Sequence, residues 1–243
     1  MRQAIGQLRH LLNRKELNPE RRRRLFERFG GPRAAVVKGL TEAVLGFVVR
    51  EWESLRGARV LDYGCGVMPY LEAFSLAGAQ VVGADIGDNK YAQVQISDNG
   101  SLPVSGSSFE YVVSFQVLEH VPIPHNYLTE AYRVLKSGGR LFLSTHGVWP
   151  HHPSPGDYHR WTRDGLVSEV ETAGFHVEFI DHILNDYSAA LQSFVMSVEY
   201  RGTCKKFRSV MHLLTHLLVL LLERYGRHEL QTPAVICIMG VKL

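Results

Sequence analysis

Val60-Leu61-Asp62-Tyr63-Gly64-Cys65-Gly66, followed by Val81-Val82-Gly83-Ala84-Asp85, is the stretch that decides the fold. The first run reads as a buried strand broken by a glycine turn, the second as a strand ending in a carboxylate, with residues 67–77 between them as a helix. A strand that reverses into a helix while its backbone approaches a ligand leaves no room for a Cβ, which is what Gly64 and Gly66 provide. Asp85 follows Gly64 by 21 positions, the distance at which a carboxylate accepts hydrogen bonds from both hydroxyls of a ribose. Together these features make half of a nucleotide-type site. The turn continues Gly66-Val67-Met68-Pro69, so the third glycine of a G-x-G-x-x-G fingerprint is missing and a dinucleotide is disfavoured.

Outward from this unit, helices and strands alternate. Helices are expected over 2–13, 19–29 and 33–52, then strands over 59–63, 80–84 and 111–115. Residues 124–135 read as a helix, Gly138-Gly139 as a turn into a strand at 140–145, and 162–173 as a helix capped by Gly174. A strand at 175–180 follows, and the apolar, β-branched run 234–241 suits the last strand of the same sheet. Only twelve residues separate Asp85 from Asp98, too few for a helix plus a strand, so a loop with a short strand near 92–96 is expected there.

Further motifs stand in order along the chain. They are Asp98-Asn99 with Leu102-Pro103, Ser108-Phe109-Glu110-Tyr111-Val112-Val113, Val117-Leu118-Glu119-His120-Val121, and Leu135-Lys136-Ser137-Gly138-Gly139-Arg140-Leu141. In this order and spacing they resemble class I S-adenosylmethionine-dependent methyltransferases, most closely the subgroup with a D-x-G-C-G first motif and a V-L-E-H-V segment. The resemblance covers roughly residues 59–179, about half the chain. It implies an α/β fold: a Rossmann-like, mostly parallel seven-stranded sheet covered on both faces, with N-terminal helices and a helical insertion before the last strand. Residues 1–56 then form a basic helical extension and 57–243 the methyltransferase domain, with 181–232 as the insertion.

The resemblance also assigns roles. S-adenosylmethionine is the implied cofactor and S-adenosylhomocysteine the product. Asp62 engages the methionine amino group, while Gly64, Cys65 and Gly66 let the backbone approach closely at a positively polarised helix start. Asp85 holds the ribose with Ile86 beside it, Asp98 or Asn99 meets the adenine exocyclic amine, and the chain around Gln116 passes under the methionine moiety. Cys65 reads as a small residue that fits the turn.

Methyl transfer requires the acceptor to approach the sulfonium methyl in line, so positioning and acceptor activation are the protein's tasks. A neutral hydroxyl is a weak nucleophile, and histidine is the most adaptable base near neutral pH. His146 and His120 both sit at the expected carboxyl rim of the sheet; His146 is the preferred base, His120 the second candidate, and Glu119 can orient base or substrate. Beside them, Trp149-Pro150-His151-His152-Pro153-Ser154-Pro155-Gly156-Asp157-Tyr158-His159-Arg160-Trp161-Thr162 combines prolines with aromatic and charged groups. Such a lid can stack on a sugar ring and bond its hydroxyls through Asp157, Tyr158, His159, Arg160 and Trp161. Its D-Y-x-R-W-T portion resembles a segment of methyltransferases of bacterial surface-glycan pathways. A structural reading, in which Tyr158 and Trp161 pack the next helix and Thr162 caps it, stays open. So does a divalent metal held by His151, His152, Asp157 and His159, whose spacing matches no strong motif; no metal ligand is assigned.

Composition bounds these readings. The chain has 243 residues, 45% hydrophobic and 21% charged, an ordinary balance for a water-exposed domain. Three cysteines, Cys65, Cys204 and Cys237, argue against a disulfide framework and for a reducing cytoplasm, possible contact with a membrane surface aside. No secretory signal is read at the N-terminus. Residues 1–33 carry ten Lys or Arg against three Glu, including Arg21-Arg22-Arg23-Arg24, so the overall +3 is an N-terminal property. That run is either a solvated face packed on the domain or an attraction for an anionic membrane or a phosphate-bearing substrate; nucleic acid is ranked lowest. Residues 210–222 are apolar except for His212, Thr215 and His216. As a helix they reach ~20 Å, short of the ~30 Å hydrocarbon core. The expectation is burial against the N-terminal helices or in a homodimer, with interfacial membrane contact as the alternative. The functional expectation is O-methylation of a carbohydrate or lipid-linked glycan; a small hydrophobic metabolite of quinone or polyketide type, or a non-catalytic cofactor-binding scaffold, are the alternatives.

Overall fold

The computed structural model describes residues 1–14, 17–200, 204–225 and 232–243; residues 201–203 and 226–231 of the expected insertion lie outside them. Seven strands form one sheet in the order β3-β2-β1-β4-β5-β7-β6: β1 (Arg59–Tyr63), β2 (Gln80–Asp85), β3 (Val94–Gln95), β4 (Phe109–Phe115), β5 (Leu135–His146), β6 (His176–Ile183) and β7 (Val235–Val241). β1 to β5 pair in parallel, and β7 runs antiparallel between β5 and β6. The sheet is therefore mostly parallel. The chain walks from β1 outward to β3, then crosses back to lay β4 on the other side of β1. That reversal opens a crevice beyond the carboxyl ends of β1 and β4, where ligands of such sheets bind.

Central strands are apolar on both faces because both are covered. Along β4, Tyr111 and Val113 join a core with α1 (Arg2–Arg14), α3 (Ala34–Arg50) and α4 (Leu71–Leu76), while Val112 joins a core on the opposite face with α5 (Pro124–Val134) and α6 (Arg163–Thr172). This is the two-residue alternation of a strand. Leu8 and Leu12 of α1 and Leu25 of α2 (Pro19–Leu25) belong to the first core, so the N-terminal helices share the packing of the sheet. Glu51, just past α3, ties that layer to β4 and β5: it accepts from Tyr111 Oη and from Arg140 Nη1, each at 2.9 Å.

Several boundaries differ from the sequence expectation for local reasons. The helix expected over 67–77 begins only at Leu71, because Met68 takes a left-handed φ of 51° before Pro69, whose ring disfavours helical backbone at the preceding residue. The helix expected to reach 29 ends at Leu25, where Phe26 becomes extended. β5 starts five residues earlier than expected, with a register shift opposite Phe109/Tyr111 and Gly138 at φ 76°; Gly138-Gly139 makes an irregularity within the strand rather than a turn before it. β6 extends to Ile183, so the insertion begins beyond it rather than at Asp181.

The insertion holds α7 (Asp186–Tyr200) and α8 (Lys205–Tyr225). α8 inverts the expected pattern. Its polar residues His212, Thr215 and His216 are buried, whereas Phe207, Val210, Leu213, Leu214, Leu217, Leu218 and Leu221 are exposed. His212 faces Glu199 of α7 at 3.4 Å, and His216 meets the edge of Phe29 at 4.6 Å, so the two histidines serve separate contacts. Among the described residues no helix is long and apolar enough to cross a membrane.

Candidate active site at the carboxyl rim of the sheet

The glycine turn forms as the sequence requires. Gly64 and Gly66 have φ of 76° and 52°, and a Cβ on Gly64 would stand 2.6 Å from both γ-carbons of Val117. Asp85, at the tip of β2, closes the turn: Oδ2 accepts from Gly66 N at 2.9 Å and Oδ1 from Ile86 N at 2.8 Å. Asn89, which the sequence reading passed over, donates to Asp85 Oδ2 at 2.6 Å and to Gly66 O at 2.7 Å, while its Oδ1 accepts from Tyr91 N. An Asn in a turn four residues past a strand-end carboxylate is the signal that pointed to it. α2 secures the same turn from outside, Arg21 donating to Val67 O at 2.8 Å and pairing with Glu72 at 2.7 Å. Part of the basic run therefore braces the turn, while Arg23 and Arg24 are exposed.

Asp62 lies under the turn, 5% exposed. Burial first, and the Asp85 carboxylate second, push its carboxyl up to about 8. A buried carboxyl that feels a second carboxylate favours a cationic ligand group. Burial and the same two acids push the Cys65 thiol up to about 12, which suits a packing residue rather than a nucleophile. Asp98 and Asn99 lie in the loop after β3; Asn99 Oδ1 accepts from Ser101 N and Oγ, and Tyr63 Oη donates to Gly100 O. Tyr63 also stacks on Tyr127 at 3.9 Å, and Tyr127 Oη donates to Tyr63 O. The strand thus holds the loop that carries Asp98 and Asn99. Gln116 sits at φ 57°, its N and Nε2 donating to Ser144 O and Oγ. A left-handed conformation at a residue other than glycine is uncommon and clusters at functional sites.

Past Gln116, a 3-10 turn (Leu118–His120) carries Glu119 and His120 to the end of β5. Glu119 is fully buried; its Oε2 accepts from Thr145 Oγ1 at 2.8 Å, and its Oε1 faces His146 Nε2 at 3.4 Å and His120 Nε2 at 3.9 Å. Burial raises the Glu119 carboxyl. Burial, with His152 and Arg160 nearby, holds His146 well below the usual imidazole range. His146 stacks on Trp149 at 4.7 Å, and His152 sets its ring edge against both His120 and His146 at 4.9 Å. Both candidate bases therefore meet at one carboxylate, together with His152, which the sequence reading had grouped with other partners.

The lid is organised by its own polar groups. Asp157 accepts from Arg160 Nη1 and Nη2 at 2.6 and 2.7 Å and from His152 N at 2.9 Å; this pairing with Arg160 holds its carboxyl well below the usual range. Tyr158 N and His159 N donate to Glu119 O, which pins the lid to the rim. Tyr158 points outward, 57% exposed, His159 stacks obliquely on Trp161 at 5.5 Å, and Thr162 caps α6. The grouping of His151 and His159 with His152 and Asp157 is not what forms. A separate hollow of about 380 Å³ between α3 and β6 includes Lys38, Glu42, Arg50 and Phe179 and none of the rim residues.

Turn, paired acids and strand order define a class I S-adenosylmethionine-dependent methyltransferase fold. A family profile described as a methyltransferase domain matches residues 13–179, and the chain belongs to that family. Among curated relatives, a ubiquinone biosynthesis O-methyltransferase of Pseudomonas putida (strain GB-1) is 34% identical over 111 residues, 40% of this chain and 48% of that protein. The chain thus spans about half the length of the curated relatives it matches. Phosphoethanolamine N-methyltransferase 2 of Haemonchus contortus, solved with S-adenosyl-L-methionine, is similar at a TM-score of 0.57 with 16% identity, over 97% of this chain and 60% of that one. The (4+2)-cyclase SpnF is similar at 0.56 with 19% identity, over 90% and 86%; these likenesses concern the fold. S-adenosylmethionine is the cofactor of this class, and Asp62, Asp85 and the glycine turn fit its ammonium, ribose and close backbone approach.

One pH effect follows from Asp62. Its carboxyl holds a proton below about 8 in the free protein, and a ligand ammonium beside it favours the carboxylate. S-adenosylmethionine binding at pH 7 is therefore expected to expel roughly 0.5–1 proton, and affinity to rise from pH 6 to pH 8. Calorimetric titrations in buffers of different ionisation enthalpy measure the release, which Asp62→Asn should remove.

Proposed function

We propose that this protein transfers the sulfonium methyl group of S-adenosylmethionine to a hydroxyl oxygen of a lipid-borne acceptor, with a lipid-linked glycan as the first candidate. The observation that carries the reading is Glu119 with His146 and His120 at its free oxygen, on the rim beside the cofactor turn. A hydroxyl needs a proton acceptor as its oxygen attacks carbon, and His146 takes that role with Glu119 orienting it. Trp149 and exposed Tyr158 supply aromatic surface for a sugar ring, while the outward apolar residues of α8 suit contact with an anionic bilayer that carries the acceptor. A second reading, a hydroxylated quinone-type ring, is favoured by the similarity to ubiquinone biosynthesis O-methyltransferases, and by the mutual pairing of Asp157 and Arg160, which leaves fewer polar groups for sugar hydroxyls.

The test is label transfer from methyl-labelled S-adenosylmethionine to lipid-linked glycans and to hydroxylated prenyl quinones, each presented in anionic vesicles. Transfer to the glycan supports the first reading, and transfer to the ring alone replaces it with the second. Cofactor binding without transfer to either class would leave a non-catalytic scaffold.

A further inference from the structure

Glu119 has one oxygen held by a hydrogen bond and one that is not. Oε2 accepts from Thr145, whereas Oε1 is buried with His146 Nε2 3.4 Å away and no hydrogen bond. Buried polar atoms are nearly always paired, so an orphaned carboxylate oxygen asks for a cause. Around it, one donor atom each from Glu119, His120 and His152 lies within 4.8 Å of the others. The two rings are already oriented. His120 Nδ1 is bonded to Gly156 O, leaving Nε2 to face Glu119 Oε1 at 3.9 Å; His152 Nδ1 lies 3.2 Å from Pro150 O, which leaves its Nε2 for another partner. A backbone carbonyl on one ring nitrogen fixes the tautomer in which the other can bind a metal.

We propose that Glu119, His120 and His152 bind one divalent transition-metal ion, zinc or a first-row neighbour, at the acceptor end of the site. One carboxylate oxygen and two imidazole nitrogens suit such ions, whereas calcium and magnesium prefer all-oxygen cages. Ligand atoms ~2.1 Å from a common tetrahedral ion stand ~3.4 Å apart, so atoms within 4.8 Å of one another need to close by at most ~1.4 Å. Three protein ligands leave a coordination position open, and the acceptor hydroxyl takes it. Bound there, the hydroxyl gives up its proton to His146 more readily. Its oxygen then bonds to the methyl carbon as the carbon–sulfur bond breaks, the electron pair staying on sulfur to give S-adenosylhomocysteine. This catalytic role rests on the hydroxyl-methylation reading above; the metal site itself does not.

The experiment titrates chelator-stripped full-length protein with Co²⁺, read by its visible ligand-field bands, and measures S-adenosylhomocysteine binding on the same samples. One equivalent of Co²⁺ is expected to bind and to be displaced by Zn²⁺. His120→Ala and His152→Ala should weaken it at least ~10-fold, the exposed neighbour substitution His151→Ala should leave it unchanged, and all three should retain S-adenosylhomocysteine binding. Wild-type protein that binds S-adenosylhomocysteine but takes up neither Co²⁺ nor Zn²⁺ at micromolar concentration overturns the site. So does Co²⁺ binding that is indifferent to both His120→Ala and His152→Ala. Co²⁺ binding in a protein that fails to bind S-adenosylhomocysteine supports the metal site and overturns the cofactor reading instead.

Discussion

Asp85→Ala is expected to weaken S-adenosylmethionine binding at least ~100-fold. Hydrogen bonds to a charged group contribute about 1.5–3 kcal/mol each, and in the proposed role the carboxylate accepts from the ribose hydroxyls, so losing two such bonds would remove ~3 kcal/mol or more. The substitution also strips acceptors from Gly66 N, Ile86 N and Asn89 Nδ2, the three bonds that hold the glycine turn against β2. Asp85→Asn separates these effects. It keeps an acceptor for the turn but drops the charge, and an intermediate loss of ~10-fold is expected. Asp85 is also the charge that adds to burial in raising the Asp62 carboxyl, so proton release on any residual binding should shrink in both variants. Calorimetric titration with S-adenosylmethionine and S-adenosylhomocysteine decides the matter. Undiminished binding in a folded Asp85→Ala protein would remove this residue from the cofactor site.

His146→Gln is expected to lower turnover by ~10²–10⁴-fold while leaving cofactor affinity within a factor of two or so, the range associated with loss of a positioned proton acceptor. Glutamine keeps much of the volume that stacks on Trp149 and fills the buried position beside Glu119, so a packing loss is kept small. The expected pattern is a fall in kcat with S-adenosylhomocysteine binding intact. Turnover unchanged, measured with the acceptor identified by label transfer, would free His146 of its assigned role and shift attention to His120, whose Nε2 faces the same carboxylate oxygen. A loss of cofactor affinity equal to the loss of turnover would instead mark His146 as structural.

Much of this architecture was legible because it is written in local chemistry. Val60-Leu61-Asp62-Tyr63-Gly64-Cys65-Gly66 could only be an apolar strand meeting a turn too tight for a Cβ, and the observed β1 and the left-handed Gly64 and Gly66 follow from that. The short crossover between Asp85 and Asp98 left room only for a loop and a brief strand, which β3 is. Elements were misjudged where a neighbour overrode propensity, as at Met68-Pro69 and in the irregular start of β5.

Residues far apart in sequence are another matter. Glu119 and His120 stood next to each other in a motif, and His146 lay at a strand end, but nothing local says that His152 turns back to join them while His151 and His159 do not. That choice depends on the lid folding over the rim, with Tyr158 and His159 amides bonded to Glu119 O and Asp157 held by Arg160. α8 shows the same limit from the other side: apolarity predicted burial against the N-terminal helices or in a homodimer, yet within the single chain His212 and His216 face Glu199 and Phe29 inside while Leu213, Leu214, Leu217, Leu218 and Leu221 face out. The sequence by itself determined the sheet, the glycine turn and its acids, because backbone sterics and strand periodicity act over a few residues. Only the tertiary structure decided which imidazoles share one buried carboxylate and which helix face is turned to the outside, because those are set by contacts between segments that the chain brings together only on folding.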